Sequence, residues 1–230
     1  MSNFTKIGTG LMAMALLVTN ASGQISKQAL FLQHDENPNI SSYKKLLPIP
    51  ANNPAEEIDI ATVNSGTGQV EFGETSGAPR GYLTDPGFPG TTAIPAGIWN
   101  FNTWLSVDNS SGITEAVIHV YKHSSSGMIT ELFNVTTARI IGITPNPQLI
   151  QTQYTQETDI ALDPTDRILV RYFAQTTAGS NRTASLYYEG SLHASYIITP
   201  LPVVGAVGAT GATGAGTTGT TSTSGKTKAK

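Results

Sequence analysis

The sequence contains no cysteine, and only 13% of its residues are charged, about half the usual share. Without cysteine the chain forms no disulfide and offers no thiolate to zinc, whatever compartment it occupies. A net charge of −3 and a pI of 5.8 leave no basic footprint, so no nucleic-acid partner is expected. Long hydrophobic runs are missing too. The most apolar stretch, Ile7 to Val18, is shorter than the roughly 20 residues a membrane helix needs. It follows Lys6 and precedes Ala21 and Gly23, a pattern that reads either as a secretory signal cleaved before Gln24 or as a retained hydrophobic arm. Residues 1–24 are therefore set apart as an N-terminal segment. No serine sits in a G-x-S-x-G elbow, and no phosphate-binding or dinucleotide-binding glycine pattern follows a strand. No cofactor is expected.

What the sequence does have is turn chemistry between short β-rich runs. Residues 25–80 read as an extended arm with short strands at IDIATV (58–63) and QVEF (69–72), and Pro48, Pro50 and Pro54 disfavour helix there. From residue 81 the pattern is regular, with IWNFNTWLSV (98–107), AVIHVYKH (116–123), ITELFNVTT (129–137), IALD (160–163), RILVRYFAQ (167–175), TASLYYEG (183–190) and ASYIIT (194–199). Their separators are rich in Gly, Pro, Asn, Asp and Ser, and no helical period intervenes. The fold class is all-β, an antiparallel sandwich or barrel over residues 81–201. Alternation places Trp99, Phe101, Leu105 and Val107 on one face of their strand, and the expected core adds Ile118, Val120, Ile168 and Val170. RILVRYFAQ is apolar on both faces, so Leu169 and Phe173 are expected at a subunit interface.

Residues 202–230 form a low-complexity tail containing GAVGATGATGAG (205–216), with glycine at Gly205, Gly208, Gly211 and Gly214. That is a collagen-like period, too short and too poor in proline to gather three chains unaided. Residues 217–230 bury too little apolar surface to order in isolation. A homotrimer held by the β domain rather than by this run is the expected state, bringing three tails together at high effective concentration, where the triplets pair briefly or continue into a partner's stalk.

Chemistry is sparse in this pattern. His34, Asp35 and Glu36 are adjacent on an extended chain, point to opposite sides, and read as a solvated loop rather than a metal site. His119 reads as a packed or interface histidine and His123 as exposed at a Ser/Gly turn. Asp163 and Asp166 read as turn residues. Carboxylates such as Glu71 with Asp85 or Glu189 are numerous enough for a glycosidase pair, but nothing selects one, and no catalytic or metal-binding residue is expected. Trp104, Tyr187 and Tyr188 are the candidate aromatics for stacking on a glycan or for an interface.

The stretch TDPGFPGTTAIPAGIWNFNTWLSV, continuing through TDRILVRYFAQTT to NRTASLYYEGSLHASYIITPL, resembles a β-sandwich domain of virion proteins. These are tail-fibre and surface proteins of bacteriophages and large DNA viruses that adjoin collagen-like repeats. More loosely, IPAGIWNFNTWLSV and DRILVRYF look like strands of trimeric tumour-necrosis-factor and complement-head jelly rolls. The resemblance implies a jelly-roll-like sandwich in a non-enzymatic structural or adhesive virion component: a fibre, capsid decoration or minor capsid protein serving host attachment. It implies other virion proteins and host-surface glycans as partners, and the virion surface as location. The alternative is a secreted bacterial surface or glycan-binding protein.

Overall fold

The computed structural model describes residues 27–37, 39–52, 55–73 and 80–203. The signal-like segment, the collagen-like run and the tail expected to lack order lie outside the described residues. The described residues begin with β1 (Lys27–Glu36), β2 (Lys44–Leu47), β3 (Glu57–Val63), β4 (Val70–Glu71), β5 (Tyr82–Leu83) and β6 (Ala93–Ile94). They continue with β7 (Gly97–Val107), β8 (Thr114–His123), β9 (Ile129–Thr136), β10 (Gln148–Gln156) and β11 (Ile160–Ala161). They close with β12 (Arg167–Thr176), β13 (Arg182–Glu189) and β14 (Tyr196–Pro202), and no helix occurs among them. The expected all-β class is what forms.

One large mixed sheet runs in the order β3-β13-β7-β14-β1-β2-β5-β12-β8-β9, with β10 on β7 and β4 on β12. Its pairings are antiparallel except β2 with β5. Strands β7 and β9 stand far apart in that order, yet Trp99 of β7 meets Phe133 of β9 with ring centroids 5.2 Å apart. The sheet therefore curls back so that its two halves share one core. All seven core residues expected from alternation, Trp99, Phe101, Leu105, Ile118, Val120, Ile168 and Val170, are fully buried in it. Each such side chain contributes roughly 1.5–3 kcal/mol of transfer free energy.

The segment read as an arm belongs to this core. Strand β1 pairs with β14 on one side and β2 on the other, and β3 pairs with β13. Leu30, Leu32, Leu46, Val63 and Phe72 are buried with the residues of the later strands. Strand β1 also extends through Glu36, so QHDE is strand rather than solvated loop.

Leu169 requires a correction. It is fully buried, with Leu83 of β5 and Tyr121 of β8 beside it in the sheet, so the cover over its face of β12 is the chain's own. Gly81 lies so close that a Cβ there would sit 2.8 Å from Arg171 Cγ, 3.1 Å from the Val170 carbonyl and 3.3 Å from Leu169 Cδ1. Both faces of β12 are apolar because one faces the core and the other is roofed internally, so Leu169 is not open to a subunit. Phe173 is half-buried beneath its own neighbours, with the Arg171 guanidinium 5.2 Å and the His119 ring 5.0 Å from its centroid. The backbone at Gly81 has φ +68°, a conformation that only glycine adopts cheaply. Gly81→Ala is expected to destabilise the fold by about 1–3 kcal/mol, measured by denaturant unfolding; no change would mean that the roof over β12 is not rigid.

Candidate functional site

The densest group of ionisable side chains gathers where β1, β2, β3, β5 and β13 meet. On β3, Glu57 and Asp59 are two residues apart and so project on the same side. Glu189 of β13 stands opposite Glu57 in the ladder, an arrangement of like charges that costs energy unless something lies between them. The end of β1 supplies it: the His34 backbone N–H donates to Glu189 Oε2 at 2.6 Å, and His34 Nδ1 lies 3.3 Å from Glu57 Oε2.

Beneath His34 is a closed polar network. Its Nδ1 is 3.0 Å from the Tyr188 hydroxyl, which receives a hydrogen bond from Lys44 Nζ at 3.1 Å. Lys44 also donates to both oxygens of Asp59, at 2.6 and 2.7 Å, and Tyr82 donates its hydroxyl proton to Asp59 at 2.9 Å. The ammonium stands 4.2 Å from the centre of the Tyr188 ring, a cation–π contact. The side chains of Lys44 and Asp59 are only 7% and 13% exposed, whereas that of His34 is 57% exposed. A buried charge pair thus connects to solvent through one phenol and one imidazole.

Burial, reinforced by Asp59, Glu57 and Glu189, raises the Tyr188 pKa far above the usual phenol value. Burial and Asp59 raise that of Tyr82 as well. Both therefore stay protonated at neutral pH. The Tyr188 phenol can give its proton to His34 Nδ1, or Nδ1 can carry the proton and direct it at Glu57. In the second arrangement the free lone pair lies on Nε2, the pattern of a carboxylate-oriented base. His34 opens onto a polar cavity of about 270 Å³ lined by Gln33, His34, Asp35, Ala51, Asn52 and Glu189. Among the described residues no serine, threonine or cysteine lines it, so a reaction built from these side chains would use water as the nucleophile.

The sequence-selected aromatics occupy different ground. Tyr187 and Tyr188 are buried, which closes their ring faces to a sugar, while Trp104 is half-buried. His193 covers Trp104 with ring centroids 4.7 Å apart and touches Tyr187 at 5.7 Å, and its Nδ1 is held 3.0 Å from Glu56 Oε2. Glu71, considered for a glycosidase pair, is buried and held by two hydrogen bonds from Arg171. It does not join Asp85 or Glu189. Asp166 is a turn residue as expected, accepting the Asp163 backbone N–H at 2.8 Å. His119 is half-buried between Tyr121 and Phe173, as a packed histidine would be. His123, expected to be exposed, is 5% exposed. Among the described residues no group of three or more potential ligands is arranged to hold a metal ion.

No protein-family model matches the chain, and no curated protein matches it either. Solved structures do. An α-amino acid ester hydrolase is 13% identical with a TM-score of 0.50, covering 76% of this chain and 36% of its own. An aminopeptidase from a marine sediment archaeon of the Thaumarchaeota is 10% identical, also with a TM-score of 0.50, covering 75% of this chain and 36% of its own. The chain thus spans about a third of the length of each, and at these identities what is shared is the fold. The virion resemblance is overturned, because the two solved structures just described, which share the fold, are an ester hydrolase and an aminopeptidase rather than virion jelly rolls. The expectations of a structural or adhesive virion role and of a non-enzyme fall with it. The stretches behind that resemblance are turns and strands of the β fold, and one fold can host many functions.

Proposed function

We propose that this chain serves hydrolysis of an ester or amide, as a jelly-roll-like β-sandwich of the kind that occurs within hydrolases, with the His34 cluster as its acid–base site. The observation that carries this reading is the exposed His34 imidazole beside Glu57 and Tyr188, at the mouth of a polar cavity and backed by a buried Lys44–Asp59 pair. Glu57 orients Nδ1–H and stabilises the imidazolium, and Nε2 accepts a proton from water as its oxygen attacks the acyl carbon. The same proton then passes to the departing alkoxide or amine as the C–O or C–N bond breaks. The fold shared with an α-amino acid ester hydrolase and an aminopeptidase supports substrates of the ester or amide class.

The test is turnover of nitrophenyl esters and aminoacyl nitroanilides by the purified chain and by His34→Gln. The side chain is largely exposed, so the variant is expected to unfold at nearly the same denaturant concentration as the wild type. Its turnover is expected to fall about 100-fold or more, the usual contribution of a positioned acid–base group. No turnover by the wild type, or equal turnover by the variant, overturns the reading.

A further inference from the structure

The two halves of the curled sheet differ in charge. Strands β8, β9 and β12 carry Glu115, Lys122, Glu131, Arg167 and Arg171, whereas β7, β10 and β14 contain no charged residue on either face. Residues directly opposite in a ladder share a face of the sheet. Ile58 of β3, Tyr187 of β13, Trp104 of β7 and Leu149 of β10 therefore form one row across the outside of the uncharged half. The next two rows along β7 pair neutral amides: Gln151 donates to Asn102 at 3.0 Å, and Gln153 donates to Asn100 at 2.7 Å. By the same alternation Ile60 and Ile98 extend this face toward its two ends.

Ile58, Ile60, Ile98 and Leu149 are 38–49% exposed, and Leu192 is 72% exposed on the loop that brings His193 over Trp104. These five leave roughly 450 Å² of apolar surface in water, about the apolar share of one partner's half of a standard interface. Apolar side chains on a face depleted of charge mark the core of a contact rather than a solvated surface. The chemistry also selects the occupant. The exposed side chains are aliphatic, and the rings on which a sugar would stack are closed, Tyr187 by burial and Trp104 by His193. A carboxamide both donates and accepts, so a row of amides is complementary to its own image. An uncharged face also meets a copy of itself without opposing like charges, as a two-fold contact requires. His193 and Glu56, beside Trp104, are already joined at 3.0 Å.

We propose that this face is the contact between two copies of the chain, packed sheet on sheet about a two-fold axis near the middle of β7. The aliphatic side chains supply the area buried, and the Asn–Gln rows supply hydrogen bonds across the axis. This assignment does not depend on the hydrolytic reading.

The experiment measures the mass of the full chain by analytical ultracentrifugation over a concentration series. A species of twice 24.2 kDa is expected, with a dissociation constant of about 10 µM or tighter. Ile58→Lys and Leu149→Lys each set an ammonium against its own image. Both sites are exposed, so these variants are expected to unfold at the wild-type denaturant concentration while associating at least about tenfold more weakly. Met128→Lys, at an exposed site on the turn between β8 and β9 in the charged half, is expected to leave association unchanged. A wild type of three chains, equal association in both lysine variants on the face, or an equal loss in Met128→Lys overturns the proposal. A monomeric wild type overturns it too, and a monomer retained by an immobilised neutral glucan would give the face to a sugar instead.

Discussion

Asp59→Ala is expected to destabilise the protein by about 3–5 kcal/mol, because it strands the Lys44 ammonium in the interior. All three protons of that ammonium are engaged, two by Asp59 and one by Tyr188. With Asp59 gone, one phenol oxygen and two aromatic faces remain around a side chain only 7% exposed. Tyr82 loses the acceptor of its hydroxyl proton in the same step. The pair itself need not be net stabilising, since the cost of desolvating two charges cancels much of their attraction. The double variant Lys44→Met, Asp59→Leu is therefore expected to recover most of the loss. Denaturant unfolding of the wild type, both singles and the double resolves the cycle. A loss below about 1 kcal/mol in Asp59→Ala would show that water reaches the ammonium.

The large strands were legible in the sequence because their signal is local. Each of β7, β8, β12 and β13 carries β-branched and aromatic residues between Gly, Pro, Asn or Asp separators, and its inward residues follow from period two. Strand β10, QLIQTQYTQ, was not legible: its alternation is between glutamine or threonine and a few apolar residues. What fixes it is the β7 edge, where Gln151 donates to Asn102 at 3.0 Å and Gln153 to Asn100 at 2.7 Å. Strand β1 was hidden differently. KQALFLQHDE has the composition of an arm, and its place between β2 and β14 is set by partners 8 to 175 residues away in sequence.

The His34 cluster was less legible still. His34 could be seen as one end of a His-Asp-Glu run, but its partners Lys44, Glu57, Asp59, Tyr188 and Glu189 come from three other strands. Only the Glu57-x-Asp59 spacing was a local hint that two carboxylates share a face. Tyr187 and Tyr188, adjacent in YYEG, lie on opposite faces of their strand, so alternation turns only one of them inward and leaves the other a candidate for a glycan or an interface. The sequence does not reveal that both faces of β13 are covered, Tyr188 by Lys44 and Tyr82, and Tyr187 by the loop carrying His193.

Trp99 carries the second large effect: Trp99→Ala is expected to cost about 3–5 kcal/mol, the range for deleting a buried aromatic side chain. The indole is completely buried, and it stacks near Phe101 and meets Phe133 edge-on, joining the two halves of the curled sheet. Phe133 in turn stacks on Tyr154, with ring centroids 3.9 Å apart, so the cavity left by the indole borders rings that cannot collapse into it without separating. A polar cost is added to the cavity. The indole N–H donates to Gln156 Oε1 at 3.0 Å, and Gln156 uses its amide hydrogens on the Ile94, Pro95 and Thr158 carbonyls. Removing the indole leaves that oxygen buried without a donor, worth about 1–3 kcal/mol. Trp99→Phe separates the two contributions: it keeps much of the ring area and loses the donor, so it is expected to cost about 1–3 kcal/mol, with most of the remainder appearing only in the alanine variant. Denaturant midpoints at unchanged slope measure both. If the phenylalanine variant is as stable as the wild type, Gln156 has found another donor, and the indole contributes by shape alone.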